Sequence, residues 1–430
     1  MDPQKPDSFQ HYTARLSTGR SYHYVDQLPK EFDAGLSPTI LCIHGFPDLW
    51  YGWRYQIGPW VRKGYRVVVP DMLGYGDTDK PFDAKEYSTK QLCSDLAALL
   101  DHLKVERAVI VGHDWGSFTA ARFAMWYPVR LTALVIISVP YTPPSRTYIP
   151  VEEVAARVPN LGYQVYFSRQ ESTKDIESNL GKFITLMFRP GNAKGPKFTH
   201  VGQLKDVLAR SDIIVDDAGC FLTPEEFRYY HHEFSKGMNG PLNYYRTAKY
   251  RHDEEQEASL APHLRADLPV LFMWGTKDPT CVNTVISKAH KFVPGLQDFS
   301  VEDKGHWMMV EAENVVTEKL LMDDFARNGL KTVAPDILNG FPFADWLKLL
   351  GPEQTRPTME KVITALKGQG VTHLAVFGYC FGEIRVEFEG TAPHQQLYGE
   401  GCTHGFAIKG DLSDPKVKEG KEGSFKAAVL

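Results

Sequence analysis

The chain has 430 residues, a formal net charge of −5 and 43% hydrophobic residues, as expected of a globular protein with one well-buried core plus appendages, or of two domains. It has no basic stretch that would favour nucleic acid, and its longest apolar run, Ala133–Val139, is far too short to span a membrane. The N-terminus lacks the apolar stretch of a signal peptide, so we expect a cytoplasmic protein.

The cysteines and glycines give no sign of a metal or a cofactor. The six cysteines form no C-x-x-C pair and no zinc-type cluster with histidine, so we expect reduced thiols and no metal. The segment Gly74-Tyr75-Gly76 begins like a dinucleotide-binding fingerprint, but Asp79 stands where the third glycine belongs. We therefore interpret it as a turn and expect no bound nucleotide.

Apolar segments alternate along the first 140 residues in the manner of an α/β protein. The predicted strands and helix are Thr39–Ile43, Arg66–Val69, the helix Leu92–Leu103, Val109–Val111 and Ala133–Ser138. Such alternation predicts a mostly parallel sheet flanked by crossover helices.

A Pro-rich break at Val139–Pro150 opens a segment rich in Tyr, Phe and Arg that runs to about Pro262 without strand punctuation. We predict that this segment is a helical cap over the active site. The alternation resumes at Leu268. The predicted organisation is an α/β core in two parts, residues 1–140 and 263–328, a cap over 141–262 and a tail over 329–430.

The segment Gly112-His113-Asp114-Trp115-Gly116 lies between a predicted strand and a helix-compatible stretch, Ser117–Tyr127. Flanking glycines allow a strained turn that lifts the central side chain above the sheet, so Asp114 is a candidate nucleophile. A carboxylate that attacks an sp3 carbon forms an ester, which water activated by histidine can cleave, whereas serine would form a stable ether. By itself the pentapeptide also fits a surface turn.

Partners for this nucleophile are expected downstream, in the order nucleophile, acid, histidine. The buried strand predicted over Val270–Trp274 leads to Asp278, the candidate orienting acid. His306 follows in Gly305-His306-Trp307, before a helix predicted over Glu311–Arg327, and is the candidate base. The chain has 15 histidines, and the position of His306 relative to a strand end and to Asp278 distinguishes it from the others. We expect His113, His231 and His232 to be packing or surface residues.

An oxyanion site is predicted where the strand Ile40–Ile43 runs into His44-Gly45-Phe46-Pro47. A loop in this early position supplies one backbone N–H and the residue after the nucleophile supplies the second, so Phe46 and Trp115 are the candidate donors. The loop by itself is also compatible with a tight Gly-Pro turn without a catalytic role.

Together these motifs resemble the soluble epoxide hydrolases of the α/β-hydrolase superfamily, from about Tyr12 to about Arg327. They are His44–Pro47, Trp53-Arg54-Tyr55-Gln56, Asp71-Met72-Leu73-Gly74-Tyr75-Gly76, the Gly112–Gly116 turn and Gly305-His306-Trp307. The resemblance implies an α/β-hydrolase fold with a helical cap and the conversion of an epoxide to a vicinal diol without a cofactor. It also implies two cap tyrosines that hydrogen-bond the epoxide oxygen, and the matching motifs place them at Tyr163 and Tyr245.

The chemistry independently favours such a pair. Opening an epoxide releases a strongly basic alkoxide, and a phenol with a pKa of about 10 can donate to it while staying protonated at neutral pH. The predicted substrate is an apolar epoxide, and the residues expected to line its pocket are Gln164, Phe167, Met187 and Trp307.

Two related dehalogenase classes and a receptor are the alternatives. Haloalkane dehalogenases hold halide with indole or amide N–H donors, commonly from an Asn in the oxyanion loop, where this chain has Phe46. Fluoroacetate dehalogenases usually carry Arg after the nucleophile, where this chain has Trp115. A receptor on the same fold would bind an apolar ligand without turning it over.

The tail contains a second turn motif, Gly378-Tyr379-Cys380-Phe381-Gly382, followed by His404. These motifs resemble dienelactone hydrolases, whose triad is Cys, Asp and His. However, Glu383 replaces the family's next glycine, and no Asp occurs between Glu383 and Thr403. We expect a non-catalytic fragment.

Overall fold

The computed structural model describes residues 1–327 except 35–36, 191–192, 194–195, 197, 213–218 and 282. The predicted dienelactone-hydrolase-like tail, with Cys380 and His404, lies outside the described residues.

Eight strands of the described part form one sheet in the spatial order β1-β2-β4-β3-β5-β6-β7-β8. Their bounds are β1 His11–Arg15, β2 Ser21–Gln27, β3 Thr39–Ile43, β4 Arg66–Pro70, β5 Ala108–His113, β6 Leu131–Ile137, β7 Val270–Gly275 and β8 Leu296–Val301. Strands β3 to β8 run parallel to one another, and β2 is antiparallel to both of its neighbours, β1 and β4. The predicted mostly parallel sheet is confirmed.

The α-helices of the described residues flank this sheet or lie between β6 and β7. Their bounds are α1 Arg54–Arg62, α2 Thr89–His102, α3 Trp115–Trp126, α4 Val151–Arg157, α5 Tyr163–Phe167, α6 Glu171–Glu177, α7 Leu180–Met187, α8 Gln203–Ala209, α9 Pro224–Ser235, α10 Asn239–Asn243, α11 Ala248–Glu257, α12 Asn283–Ala289, α13 Met308–Glu311 and α14 Glu313–Arg327. Helices α4 to α11 form the insertion between β6 and β7. None of the described helices combines the length and apolar character needed to cross a bilayer.

The central strands are apolar along their whole length because both faces of the sheet are covered. Every residue of β3 and of β5 is buried, as expected for strands between two layers of helices. Since β3, β5, β7 and β8 are parallel, the loops that follow them meet at one edge of the sheet. This edge collects the segments that begin at His44, Asp114, Thr276 and Glu302.

Several predicted boundaries differ from the structure by a few residues, and two of these differences have a cause in the backbone. Strand β6 ends at Ile137 because Ser138 has φ +67°, which turns the chain out of the sheet. The helix predicted over Glu311–Arg327 begins earlier, at Met308, and is divided at Ala312, whose φ of −140° is not helical.

The insertion is joined to the core by buried polar contacts of α9. This helix begins with a capping box between Thr223 and Glu226 and with Pro224 in its first turn. Glu226 Oε1 also accepts a 2.8 Å hydrogen bond from Nε of Arg54 in α1, and both side chains are only 1% exposed. One turn further along, the Tyr230 hydroxyl donates to Asp48 Oδ1 over 2.8 Å.

Candidate active site

Asp114 occupies a strained turn between β5 and α3. Its φ is +54°, a left-handed conformation that side chains other than glycine rarely adopt. A Cβ atom on Gly112 would lie 2.2 Å from the carbonyl oxygen of Gly116, and one on Gly116 would lie 2.0 Å from that of Ile43. The turn therefore requires both glycines, as the sequence motif predicts, and it lifts the carboxylate of Asp114 into a cavity above the sheet.

The loops after β7 and β8 bring Asp278 and His306 together. Oδ2 of Asp278 lies 2.7 Å from Nδ1 of His306, and Oδ1 of Asp278 accepts hydrogen bonds of 2.8 and 2.7 Å from the backbone N–H and hydroxyl of Thr280. On the other side of the ring, Nε2 of His306 lies 3.5 Å from Oδ2 of Asp114. The ring of His306 thus lies between the two carboxylates, with a short hydrogen bond to Asp278 and a longer contact with Asp114.

The charges of these three residues stabilise one another. Burial disfavours the charged ring of His306, but the carboxylates of Asp278 and Asp114 outweigh it and hold its pKa well above the usual value. Burial raises the pKa of Asp114. The hydrogen bond and charge of His306 and the N–H of Phe46 lower this pKa by a larger amount, so the net shift is downward. Asp114 is therefore an ionised carboxylate beside an imidazolium in the resting site.

The predicted oxyanion loop contacts the other carboxylate oxygen. The backbone N–H of Phe46 donates to Oδ1 of Asp114 over 2.8 Å, and a Cβ atom on Gly45 would lie 2.5 Å from the Cβ of Asp114, so only glycine fits. Trp115 is the first residue of α3, a position whose backbone N–H has no acceptor within the helix.

His44 holds this loop, a role that the sequence analysis did not assign. Its Nε2 accepts a hydrogen bond from the backbone N–H of Met72 over 2.9 Å, so Nδ1 carries the proton and donates to the carbonyl of Gly45.

Tyr163 and Tyr245 both line the cavity that contains Asp114. Tyr163 begins helix α5, Tyr245 lies in the short 3-10 helix Tyr244–Arg246, and their ring centroids are 6.4 Å apart. Burial, and then the negative charge of Asp114, raise the pKa of each tyrosine above its usual value. Both hydroxyls therefore stay protonated and lie within electrostatic reach of the Asp114 carboxylate.

The cavity has a volume of about 640 Å³ and a mainly aromatic and aliphatic wall. Phe167, Met187 and Trp307 line it as predicted, but Gln164 does not. Tyr163 and Phe167 are four residues apart on α5 and share the face toward the cavity, whereas Gln164 lies about 100° around the helix. Its side chain instead acts as a hydrogen-bond partner that lowers the pKa of Tyr163.

Several contributors to the site carry no signal in the sequence. Besides the residues already named, five polar side chains of the described part of the chain line the cavity: Asn160, Arg189, Thr199, His200 and Thr280. Nε2 of His113 donates to the carbonyl oxygen of His306 over 2.9 Å, and burial lowers the pKa of His113 to about 3, so this ring is neutral. His231 and His232, which were expected to pack or lie on the surface, are exposed on α9.

Residues 38–179 match the family described as the alpha/beta hydrolase fold. Epoxide hydrolase srdG from Neurospora crassa is 30% identical over 74% of this chain and 96% of its own length. Bifunctional epoxide hydrolase 2 from mouse is 29% identical over 74% of this chain, and the matched part spans 56% of the mouse enzyme. The crystal structure of epoxide hydrolase A from Mycobacterium thermoresistibile has a TM-score of 0.64 and 28% identity, covering 74% of this chain and 98% of that one.

Proposed function

The chain belongs to the epoxide hydrolase family of α/β-hydrolases, and from this premise we propose that it converts an apolar epoxide and water into a vicinal diol through an ester at Asp114. The observation that carries the proposal is the position of Asp114. Its carboxylate has His306 with Asp278 on one side and two protonated tyrosines, Tyr163 and Tyr245, in the same cavity.

In the first step, Oδ2 of Asp114 attacks an epoxide carbon. Oδ1 is already engaged by the N–H of Phe46 over 2.8 Å, which leaves Oδ2 as the nucleophilic oxygen. The carbon–oxygen bond of the ring breaks as the new ester bond forms, and the oxygen that leaves takes a proton from the hydroxyl of Tyr163 or Tyr245. This step needs no base because the carboxylate is already ionised.

In the second step, His306 activates water. Formation of the ester removes the negative charge of Asp114, and with it one of the two interactions that raise the pKa of His306. The ring of His306 can then release its proton, which reprotonates the tyrosinate. Nε2 of the neutral ring next accepts a proton from a water molecule as this water attacks the ester carbonyl. The N–H groups of Phe46 and Trp115 stabilise the oxyanion. Collapse of this intermediate breaks the ester bond, and the departing alkoxide takes the remaining proton of the added water. The diol is released, with Asp114 again a carboxylate and His306 again an imidazolium.

Other functions of the fold receive less support from the site. A haloalkane dehalogenase needs N–H donors for its halide, whereas the phenol hydroxyls of Tyr163 and Tyr245 lie close enough to Asp114 for its charge to raise their pKa. A receptor that only binds an apolar ligand has no use for the His306–Asp278 pair. We assign the substrate to the apolar epoxides because Phe167, Met187 and Trp307 line the cavity.

We further assign helices α4 to α11 to the cap that closes over the substrate, and we place the activity in the first 328 residues. Every residue with a role in the proposed steps precedes residue 308. A chain that ends at residue 328 should keep the rate of epoxide opening within a few-fold of the full chain, and loss of activity in a folded, truncated protein would contradict this assignment.

The proposed function is tested by a single turnover in 18O-water with enzyme in excess over epoxide. Water attacks the ester carbonyl, so after digestion the label should appear in the peptide that carries Asp114, and the first diol should be unlabelled. The peptide that carries Asp278 is the control and should stay unlabelled. Label in the diol alone would overturn the covalent route. A panel of aryl, alkyl and fatty-acid epoxides, with short haloalkanes assayed for halide release, defines the substrate.

A further inference from the structure

Ser138 combines two features that the proposed steps do not use. It follows strand β6, is 1% exposed and has φ +67°. A non-glycine residue in this left-handed region is strained, and such strain persists only where the surroundings enforce it, often at functional sites. The strain at Ser138 therefore calls for a compensating contact.

That contact is a hydrogen bond to the histidine of the site. The Ser138 hydroxyl donates to the backbone carbonyl oxygen of His306 over 2.7 Å. The backbone N–H of Ser138 still donates to the carbonyl of Met273 in β7 over 2.9 Å. The left-handed turn thus keeps Ser138 tied to the neighbouring strand while its side chain reaches the loop after β8.

The carbonyl of His306 is a junction between that loop and the sheet. Besides Ser138 after β6, it accepts a 2.9 Å hydrogen bond from His113 at the end of β5. The N–H of Met308, two residues along, donates to it over 3.0 Å, but this contact lies within the loop and cannot fix the loop on the sheet. Ser138 and His113 are thus the groups that anchor the main chain of His306 to β5 and β6.

We propose that Ser138 is a positioning residue for the hydrolytic half of the reaction, which holds the His306 main chain so that Nε2 faces the ester carbonyl. The inference rests on the proposed function. Ester formation uses Asp114 and the tyrosines and does not need a base, whereas ester hydrolysis needs His306. Loss of the Ser138 hydroxyl should therefore slow the second step and spare the first.

The experiment compares Ser138→Gly with Ser138→Ala in the full chain. Both remove the hydroxyl, but glycine relieves the positive φ and alanine retains it, so the two variants separate function from strain. Single-turnover kinetics should show ester formation within twofold of the wild type and ester hydrolysis about tenfold slower in both variants. The Tm should be lower for Ser138→Ala than for Ser138→Gly.

Ser259 provides the matched control, because it too is a serine at positive φ, +50°, but it is exposed at the end of α11. Ser259→Gly and Ser259→Ala should differ in Tm in the same direction while both half-reactions keep their wild-type rates. Wild-type ester hydrolysis in Ser138→Gly would overturn the proposal, and so would an equal loss in both half-reactions.

A spectroscopic readout tests the positioning without turnover. The His306 Nδ1–H that faces Asp278 at 2.7 Å should give a downfield NMR resonance, which should move upfield in Ser138→Gly and stay in place in Ser259→Gly. An unchanged resonance would overturn the positioning role. Failure of the proposed function would instead be seen in the wild type, as the absence of any ester on Asp114.

Discussion

His306 lies closer to Asp278, its proposed orienting acid, than to Asp114, the proposed nucleophile: Nδ1 is 2.7 Å from Oδ2 of Asp278, and Nε2 is 3.5 Å from Oδ2 of Asp114. The short contact fixes which nitrogen carries the proton toward Asp278, and the longer one leaves space beside Asp114. This asymmetry suits a base that activates water after the ester has formed on Asp114. We therefore expect Asp114 to serve ester formation and His306 to serve ester hydrolysis.

Replacing His306 with Gln should stop the cycle after its first step. The ionised carboxylate of Asp114 can still attack, but no base remains for ester hydrolysis, so the ester should accumulate. Asp114→Ala should form no ester. Mass spectrometry of the peptide that carries Asp114, after brief mixing with epoxide, should show the adduct in the His306 variant alone. Absence of the adduct from the folded His306→Gln protein would mean that His306 also serves the first step.

Replacing His306 with Gln should also raise the pH below which ester formation slows. The pKa of Asp114 lies below its usual value because the contributions that lower it, led by His306, outweigh burial. In the wild type the carboxylate therefore stays ionised down to about pH 4, and the rate of ester formation should fall only below that. Without the cation, burial dominates, the pKa of Asp114 rises, and the rate should already fall at higher pH. Single-turnover rates between pH 4 and pH 8, with exposed His290→Gln as the control, provide the measurement.

Tyr163→Phe and Tyr245→Phe should each slow ester formation by at least about tenfold, and the double variant should lose most of the activity, because the departing oxygen then has no proton donor. Tyr166→Phe is the matched control. Tyr166 lies on the same helix, its hydroxyl donates to Asp175 over 3.0 Å, and it does not line the cavity. Equal losses in Tyr166→Phe and Tyr163→Phe would show that packing of α5, and not proton donation, accounts for the effect.

Much of this site could be predicted because its residues follow apolar strands directly. Asp114 follows β5 and Asp278 lies in the loop after β7, so short-range patterns locate them. Strands β1, β2 and β8 were not predicted. Each of β1 and β8 has one buried residue, Ala14 and Leu296, and β2 is buried largely through polar residues such as His23 and Asp26, so none of the three has a periodic apolar signal. The contacts of Ser138 and His113 with His306 join segments that are far apart in the sequence, so no short sequence pattern predicts them.

The buried Arg54–Glu226 pair should be a large contributor to stability. Each side chain is 1% exposed, so Glu226→Gln would leave the guanidinium of Arg54 buried without its counter-charge, a change that typically costs about 3–5 kcal/mol. The neighbouring Glu225→Gln is the control, because Glu225 forms an exposed pair with Arg228 and should matter little. Urea unfolding of both variants measures their stabilities. Equal unfolding midpoints for Glu226→Gln and Glu225→Gln would contradict the prediction.

The stability of the fold should also depend on a proton shared by His11 and His23. Nε2 of His11 contacts the carbonyl of Pro6 at 3.0 Å, Nδ1 of His11 contacts Nε2 of His23 at 2.9 Å, and Nδ1 of His23 contacts Oδ2 of Asp71 at 2.8 Å. The carbonyl and the carboxylate only accept, so these three hydrogen bonds need three protons on two rings, which hold two when both are neutral. All three hydrogen bonds can therefore form together only while the pair carries one positive charge beside Asp71.

This proton gives the stability a defined pH dependence. Burial lowers the pKa of His23, but the hydrogen bond and charge of Asp71, with smaller contributions from Asp77 and Glu233, raise it above the usual value. A raised folded-state pKa means that the stabilisation is fully present below about pH 6.5, the unfolded value, and is lost as the pH rises through the folded value. His23→Gln should therefore flatten the fall in unfolding free energy above pH 6.5. His306 contributes equally to both proteins and cancels in the difference, and the exposed His290→Gln is the control. Parallel curves for the wild type and His23→Gln would show that the shared proton does not stabilise the fold.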